Sequence, residues 1–251
     1  MNPIYRTRIS ILRILAVLPV ITLIFLSACS KNAEDNFQTA LEYYKADRFN
    51  EAIPYFAKTI SIEPENIKSR FFLGVCYKNT GDLNKALKYI EESFELNPND
   101  FYILFHLGDT YLKLDQFDKA VTYARKSLGI KPDFMESHLL LGTALNGAGK
   151  VTEAVKELEF IVKIIKEENP TMYNQCVFQL GDLYRIQGRL EDSLKILTSL
   201  TSVNPDTPEL VFSRGLTYQM MGNSLEAKNH LEKLDKMNSP LAEIMRKKMT
   251  Q

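Results

Sequence analysis

The chain repeats itself every 34 residues, and that period limits its folding more than any single residue does. Leu73, Gly74, Tyr77, Gly81, Ala86 and Pro98 match Leu107, Gly108, Tyr111, Asp115, Ala120 and Pro132 at that offset. Leu180, Gly181, Tyr184, Gly188 and Pro205 repeat the pattern, as do Gly215, Tyr218, Gly222 and Ala227. A period of this length predicts a stack of small units that each pack on their neighbours along one continuous core.

Each recurring position has a physical task. Ala40, Gly74, Gly108, Gly142, Gly181 and Gly215 share a slot where a tiny side chain lets two helices approach closely. Tyr43, Tyr77, Tyr111, Leu145, Tyr184 and Tyr218 lie three residues on, hence on the same helical face. Asp47, Gly81, Asp115, Gly149, Gly188 and Gly222 fall at the turn between paired helices, where a left-handed backbone is expected. Ala52, Ala86, Ala120, Ala154, Ser193 and Ala227 are small again, in the second helix. Pro64, Pro98, Pro132 and Pro205 follow that helix, which proline cannot continue. Asn66, Asp100 and Thr207 stand ready to cap the next one.

These residues resemble the tetratricopeptide repeat, a helix-turn-helix unit of 34 residues. Six units fit, starting near Ala33, Ile67, Phe101, Met135, Asn174 and Pro208. The resemblance implies an all-α, right-handed superhelical solenoid over residues 36–239, closed by a capping helix over 240–251 with Leu241, Ile244, Met245 and Lys248 in an amphipathic pattern. The spacing from the fourth unit to the fifth is 39, and Lys166 stands where proline is expected. The apolar series Val155, Leu158, Ile161, Val162, Ile165 assigns the five additional residues to an extra turn in the second helix of unit four.

In that family the first helices line a concave surface, with the second, fifth, ninth, twelfth and thirteenth positions facing the groove. The fifth position reads Phe37, Phe71, Phe105, Leu139, Phe178 and Phe212, a candidate aromatic ladder. Tyr44, Tyr102, Asp109, Asp182 and Arg185 are further groove candidates. A second arrangement stays open: Asn36, Arg70 and His138 occupy the preceding position, normally a large core residue, so the phenylalanines could turn inward instead. Members of the family that clamp a C-terminal carboxylate use asparagine at the ninth position. Leu41, Val75, Asp109, Thr143, Asp182 and Leu216 stand there, so that clamp is not expected.

The N-terminus differs in kind. Arg6, Arg8 and Arg13 precede an apolar run from Ile14 to Leu26, which meets Leu26-Ser27-Ala28-Cys29. A charged start, a short apolar core and small residues before a cut site describe a secretory signal peptide over residues 1–28. The run is about two-thirds of the roughly 20 residues needed to span a bilayer; an uncleaved anchor is the alternative. Leu-Ser-Ala-Cys resembles a bacterial lipobox. That resemblance implies cleavage before Cys29, covalent lipid on its sulfur and stable anchoring by several chains. Residues 29–35 then form a lipidated cysteine and short polar tether. Ser30, in place of an aspartate, favours the outer membrane facing the periplasm.

Chemistry finds little support. Lysine plus arginine and aspartate plus glutamate number 31 each, so no charge excess points to nucleic acid. Gly149-Lys150 lacks the first glycine and the Ser/Thr of a phosphate loop. His106, His138 and His230 are the only histidines and form no metal-binding spacing. Cys76 and Cys176 lie a hundred residues apart in predicted helices and are expected as buried free thiols. No cofactor, metal, catalytic residue or small-molecule substrate is expected. The expected role is a membrane-anchored scaffold or assembly adaptor for a protein or peptide partner in the periplasm. The architecture resembles the pilotin lipoproteins of type IV pili, which serve secretin assembly; regulation of a cell-envelope hydrolase or protease is the alternative.

Overall fold

The computed structural model describes residues 31–165, 168–200 and 207–250. The signal peptide, Cys29, Lys166 and Pro205 lie outside the described residues. Helix α1 occupies residues 31–45. It is followed by α2 (Phe49–Ile62), α3 (Ile67–Thr80), α4 (Leu83–Leu96), α5 (Phe101–Lys113), α6 (Phe117–Ile130) and α7 (Met135–Gly147). Then come α8 (Val151–Ile165), α9 (Pro170–Ile186), α10 (Leu190–Thr198), α11 (Pro208–Met220), α12 (Ser224–Lys236) and α13 (Leu241–Met249). The described residues hold no strand, and no helix among them is long and apolar enough to cross a membrane. The chain falls into two compact units that divide between Thr110 and Tyr111, within α5.

Local chemistry explains the pairing. All six predicted turn residues have left-handed backbone, from φ 55° at Asp47 and Asp115 to 90° at Gly81. Most side chains would be strained there by roughly 1–2 kcal/mol. Asn66 accepts from the Ser69 N–H at 2.9 Å, Asp100 from Tyr102 N–H at 2.8 Å and Thr207 from Leu210 N–H at 3.3 Å, which caps α3, α5 and α11. Between the helices of a pair, the small slot is filled from 16 residues on. A Cβ at Gly74 would stand 2.6 Å from Ile90 Cγ1, and one at Gly181 2.9 Å from Leu197. A larger residue at either slot must push a core side chain aside.

In the first unit, Ala40, Ala52, Phe56, Leu73 and Cys76 make a buried cluster. In the second, Val211, Ala227, Leu234, Ala242 and Met245 do so. Tyr43, Tyr77 and Tyr111 stack on Tyr55, Tyr89 and Tyr123 at 5.4–5.7 Å, with Arg48, Lys85 and Lys119 over their rings. Such stacks contribute about 0.5–1.5 kcal/mol each beyond their buried area. Cys76 and Cys176 are buried free thiols, and burial pushes them up to about 12 and about 11.

Three expectations are corrected. The polar tether does not extend over 31–35: helix α1 already runs from residue 31, with Ala33 buried and its carbonyl accepting from the Thr59 hydroxyl at 3.4 Å. The additional residues are not confined to the second helix of unit four. Helix α9 has 17 residues, against 14 in α3 and 13 in α7 and α11. Gly142 is the eighth residue of α7 but Gly181 the twelfth of α9, so α9 carries an added turn at its start. Asn169 accepts from Met172 N–H at 3.1 Å and Pro170 takes the first helical position, which starts the helix early. In α13 the buried residues are Ala242 and Met245, while Ile244 is exposed.

Candidate partner-binding surfaces

The two units are built from the same repeat positions but present them differently. In the first unit the aromatic ladder is mostly packed. Phe37 is half-buried against Phe56 at 5.9 Å and Phe72 at 6.3 Å. Tyr44 meets Phe72 edge-on at 5.0 Å, and burial, with Tyr102 adding to it, pushes its hydroxyl up to about 12. Phe71 is only 6% exposed and is corrected from groove to core. Tyr102 and His106 of the following repeat cover it at 5.6 and 5.1 Å. Arg70 beside it turns away to Glu92 at 2.9 Å and to the Pro64 carbonyl, leaving its place to the ring. Tyr102 is the exposed member, at 40%, with half-buried Phe105 stacked on it at 6.2 Å.

Asp109 is half-buried and takes part in a cluster that the sequence does not reveal. Lys78 is buried, pairs with Asp109 and donates to His106 Nδ1 at 2.8 Å. An ammonium can only donate, so Nδ1 accepts and the imidazole proton sits on Nε2, which is buried with no hydrogen-bond partner. Burial and then the Lys78 charge hold the His106 imidazole well below its usual range. Lys78 was readable: it occupies the twelfth repeat position, the one held by Tyr44 and Arg185. His106 reads as unremarkable on a half-polar helix and only contact reveals its place.

In the second unit, Leu139 and Phe178 are half-buried. Phe212 packs against the Val211, Ala227, Leu234 and Met245 cluster, so it belongs to the terminal core more than to a groove. Asp182 and Arg185 come together at a cleft of about 440 Å³, with Ile186 from α9, Leu216, Gln219 and Met220 from α11, and Lys248 from α13. Arg185 donates to Asp182 at 2.5 Å and to the Ser213 carbonyl at 3.2 Å. Burial pushes the Asp182 carboxyl up, and Arg185 opposes that. Ile186 and Met220 are 66% and 56% exposed, apolar surface of the kind that marks binding. Ile186 and Met220 hold the thirteenth position, one of the five inward ones, and were passed over among the groove candidates; Lys248 lies outside the repeats, on α13. Among the described residues no cluster of three or more His, Cys, Asp or Glu side chains is placed to hold a metal ion.

Two family models match the sequence: Anaphase-promoting complex, cyclosome, subunit 3, over residues 45–127, and Tetratricopeptide repeat, over residues 105–159. No curated protein matches it. Among solved structures, PilW, a widely conserved type IV pilus biogenesis factor, is similar with TM-score 0.73 at 16% identity over 84% of this chain and 97% of that one. Pseudomonas aeruginosa PilF gives 0.70 at 11% identity over 88% and 99%. YrrB, a tetratricopeptide-repeat protein with an unusual peptide-binding site, gives 0.63 at 20% identity over 77% and 97%. Six helix pairs and six left-handed turns among the described residues agree with these matches: the chain has the all-α tetratricopeptide-repeat solenoid fold and resembles type IV pilus biogenesis factors in fold.

Proposed function

We propose that the protein is a non-catalytic scaffold, anchored in a bacterial cell envelope by lipid on Cys29, that holds a partner protein or peptide in the periplasm for assembly of an envelope machine. The observation that carries the binding role is the cleft at Asp182 and Arg185, open and rimmed by the exposed side chains of Ile186 and Met220. The Leu26–Cys29 sequence supports the anchor, and the small residues at Ser27 and Ala28 suit a narrow peptidase site. Similarity to PilW and PilF over nearly their whole length supports a pilus assembly role, and Ser30 after the cysteine favours the outer membrane.

A photocrosslinking residue at Tyr102 or Ile186, both exposed, tests the role in membranes containing the intact protein. Capture of a pilus secretin is expected. Capture of an envelope hydrolase instead replaces assembly with enzyme regulation, and capture of nothing at either position overturns the scaffold. Anchoring has its own measurement: Cys29→Ala should lose the lipid mass and leave the membrane fraction. A Cys29→Ala protein that keeps both defeats the anchor.

A further inference from the structure

The cleft of the second unit carries one cation more than it needs. Arg185 is engaged by Asp182 and the Ser213 carbonyl, which fixes its guanidinium on the wall. Lys248 also lines the cleft, and it has no carboxylate partner among the described residues. Its neighbours on α13 differ in this: Arg246 pairs with Asp235 and Glu243, and Lys247 with Glu243. Two cations therefore face one carboxylate at this cleft, beside Ile186 and Met220, two of the most exposed large apolar side chains described.

A volume of about 440 Å³ lies within the roughly 300–1,000 Å³ typical of ligand pockets, room for a few side chains and not for a folded domain. We infer that this cleft takes a peptide segment in which one acidic side chain is flanked by large apolar residues. The carboxylate meets Lys248 and the outer edge of Arg185, and the apolar neighbours cover Ile186 and Met220. The peptide is held through an internal acidic side chain, so a free C-terminal carboxylate is not required. This inference rests on the scaffold reading and specifies what the scaffold holds. Its location is set by α13, because Lys248 is supplied by that helix and not by any repeat.

The test uses the full chain in detergent and a fluorescently labelled peptide, acetylated and amidated, of sequence Gly-Leu-Asp-Ile-Leu-Gly. Fluorescence anisotropy should report binding that weakens as salt is raised. The same peptide with asparagine in place of aspartate should bind about tenfold more weakly, the scale of one lost charge-assisted hydrogen bond. Lys248→Glu should weaken the aspartate peptide by at least that factor and leave helical circular dichroism unchanged. Ile186→Ser, a second surface variant, should weaken both peptides alike. Equal binding of the two peptides, or an unaffected Lys248→Glu protein, overturns the inference. So does isovalerate competing as effectively as unlabelled peptide, which makes the cleft a small-acid pocket. If crosslinking at Tyr102 captures a partner while the peptide fails, the scaffold stands and this inference alone falls. If both fail, the scaffold falls as well.

Discussion

The ninth and twelfth repeat positions carry an aspartate and a cation in both units, and the two pairs do opposite things. In the first unit Lys78 of α3 reaches forward to Asp109 of α5, so the pair ties two consecutive repeats together. In the second, Arg185 reaches back three residues to Asp182 on its own helix, so the ion pair stays within one repeat and only the Arg185 bond to the Ser213 carbonyl crosses to the next. Burial differs mainly at the carboxylate: Lys78 and Asp109 side chains are 6% and 24% exposed, Arg185 and Asp182 14% and 54%. The same residue types at the same positions thus build a sealed joint in one place and an open rim in the other. The long cations fold in different directions: Lys78 runs to Asp109 and to His106, against which Tyr102 and Phe105 pack, and Arg185 lies along the wall of the open cleft.

The largest expected effect is at the sealed joint. Lys78→Ala leaves Asp109 without its ammonium and His106 without its donor, and should cost about 3 kcal/mol in urea unfolding, the low end for breaking a buried pair because Asp109 keeps some water. Lys78→Met combined with Asp109→Leu should recover about 2 kcal/mol of that loss, since packed apolar groups replace an ion pair well. If the double variant is worse than Lys78→Ala, the joint depends on charge and not on its burial.

Acid should distinguish the units next. The folded His106 imidazole titrates below its unfolded value, so between these the unfolded chain binds more protons. Its contribution is complete above about pH 6.5 and is lost as pH falls toward the folded value, at most about 1.4 kcal/mol per pH unit. Hydrogen exchange at pH 6.5 and pH 5 should show α3 and α5 loosening more than α11 and α12, and His106→Gln should remove that difference. A uniform loosening contradicts the comparison. The smallest effect belongs to the open rim: Arg185→Ala releases Asp182 to water and leaves the Ser213 carbonyl without this donor, and should cost about 1.5 kcal/mol, half the loss of Lys78→Ala. A loss as large as that of Lys78→Ala would make the two pairs equivalent and end the distinction.

What was legible in the sequence follows from how local each cause is. The left-handed turns at Asp47, Gly81, Asp115, Gly149, Gly188 and Gly222 were readable because only a few residue types accept that backbone. The small slot at Gly74 and Gly181 was readable because it recurs. The start of α9 was misassigned although Asn169 and Pro170 are a cap and a first-turn proline. The apolar run ending at Ile165 drew attention to α8 alone. Residues 31–35 read as a tether because four of the five are polar, and only contact with Thr59 marks Ala33 as packed. Phe71 could not be placed from its own helix, since Tyr102 and His106 cover it from more than 30 residues away. The cleft was half visible, because Lys248 joins it from α13.

The added turn at the start of α9 has a consequence for how such a chain finds its fold. Near-identical units can mispair one register out, each wrong stack resembling the right one over most of its length. Helix α9, with 17 residues where α3 has 14 and α7 and α11 have 13, does not fit a berth shaped for the others. It acts as a landmark that sets the count of repeats on either side, so a slipped stack is penalised at one place and unravels from there.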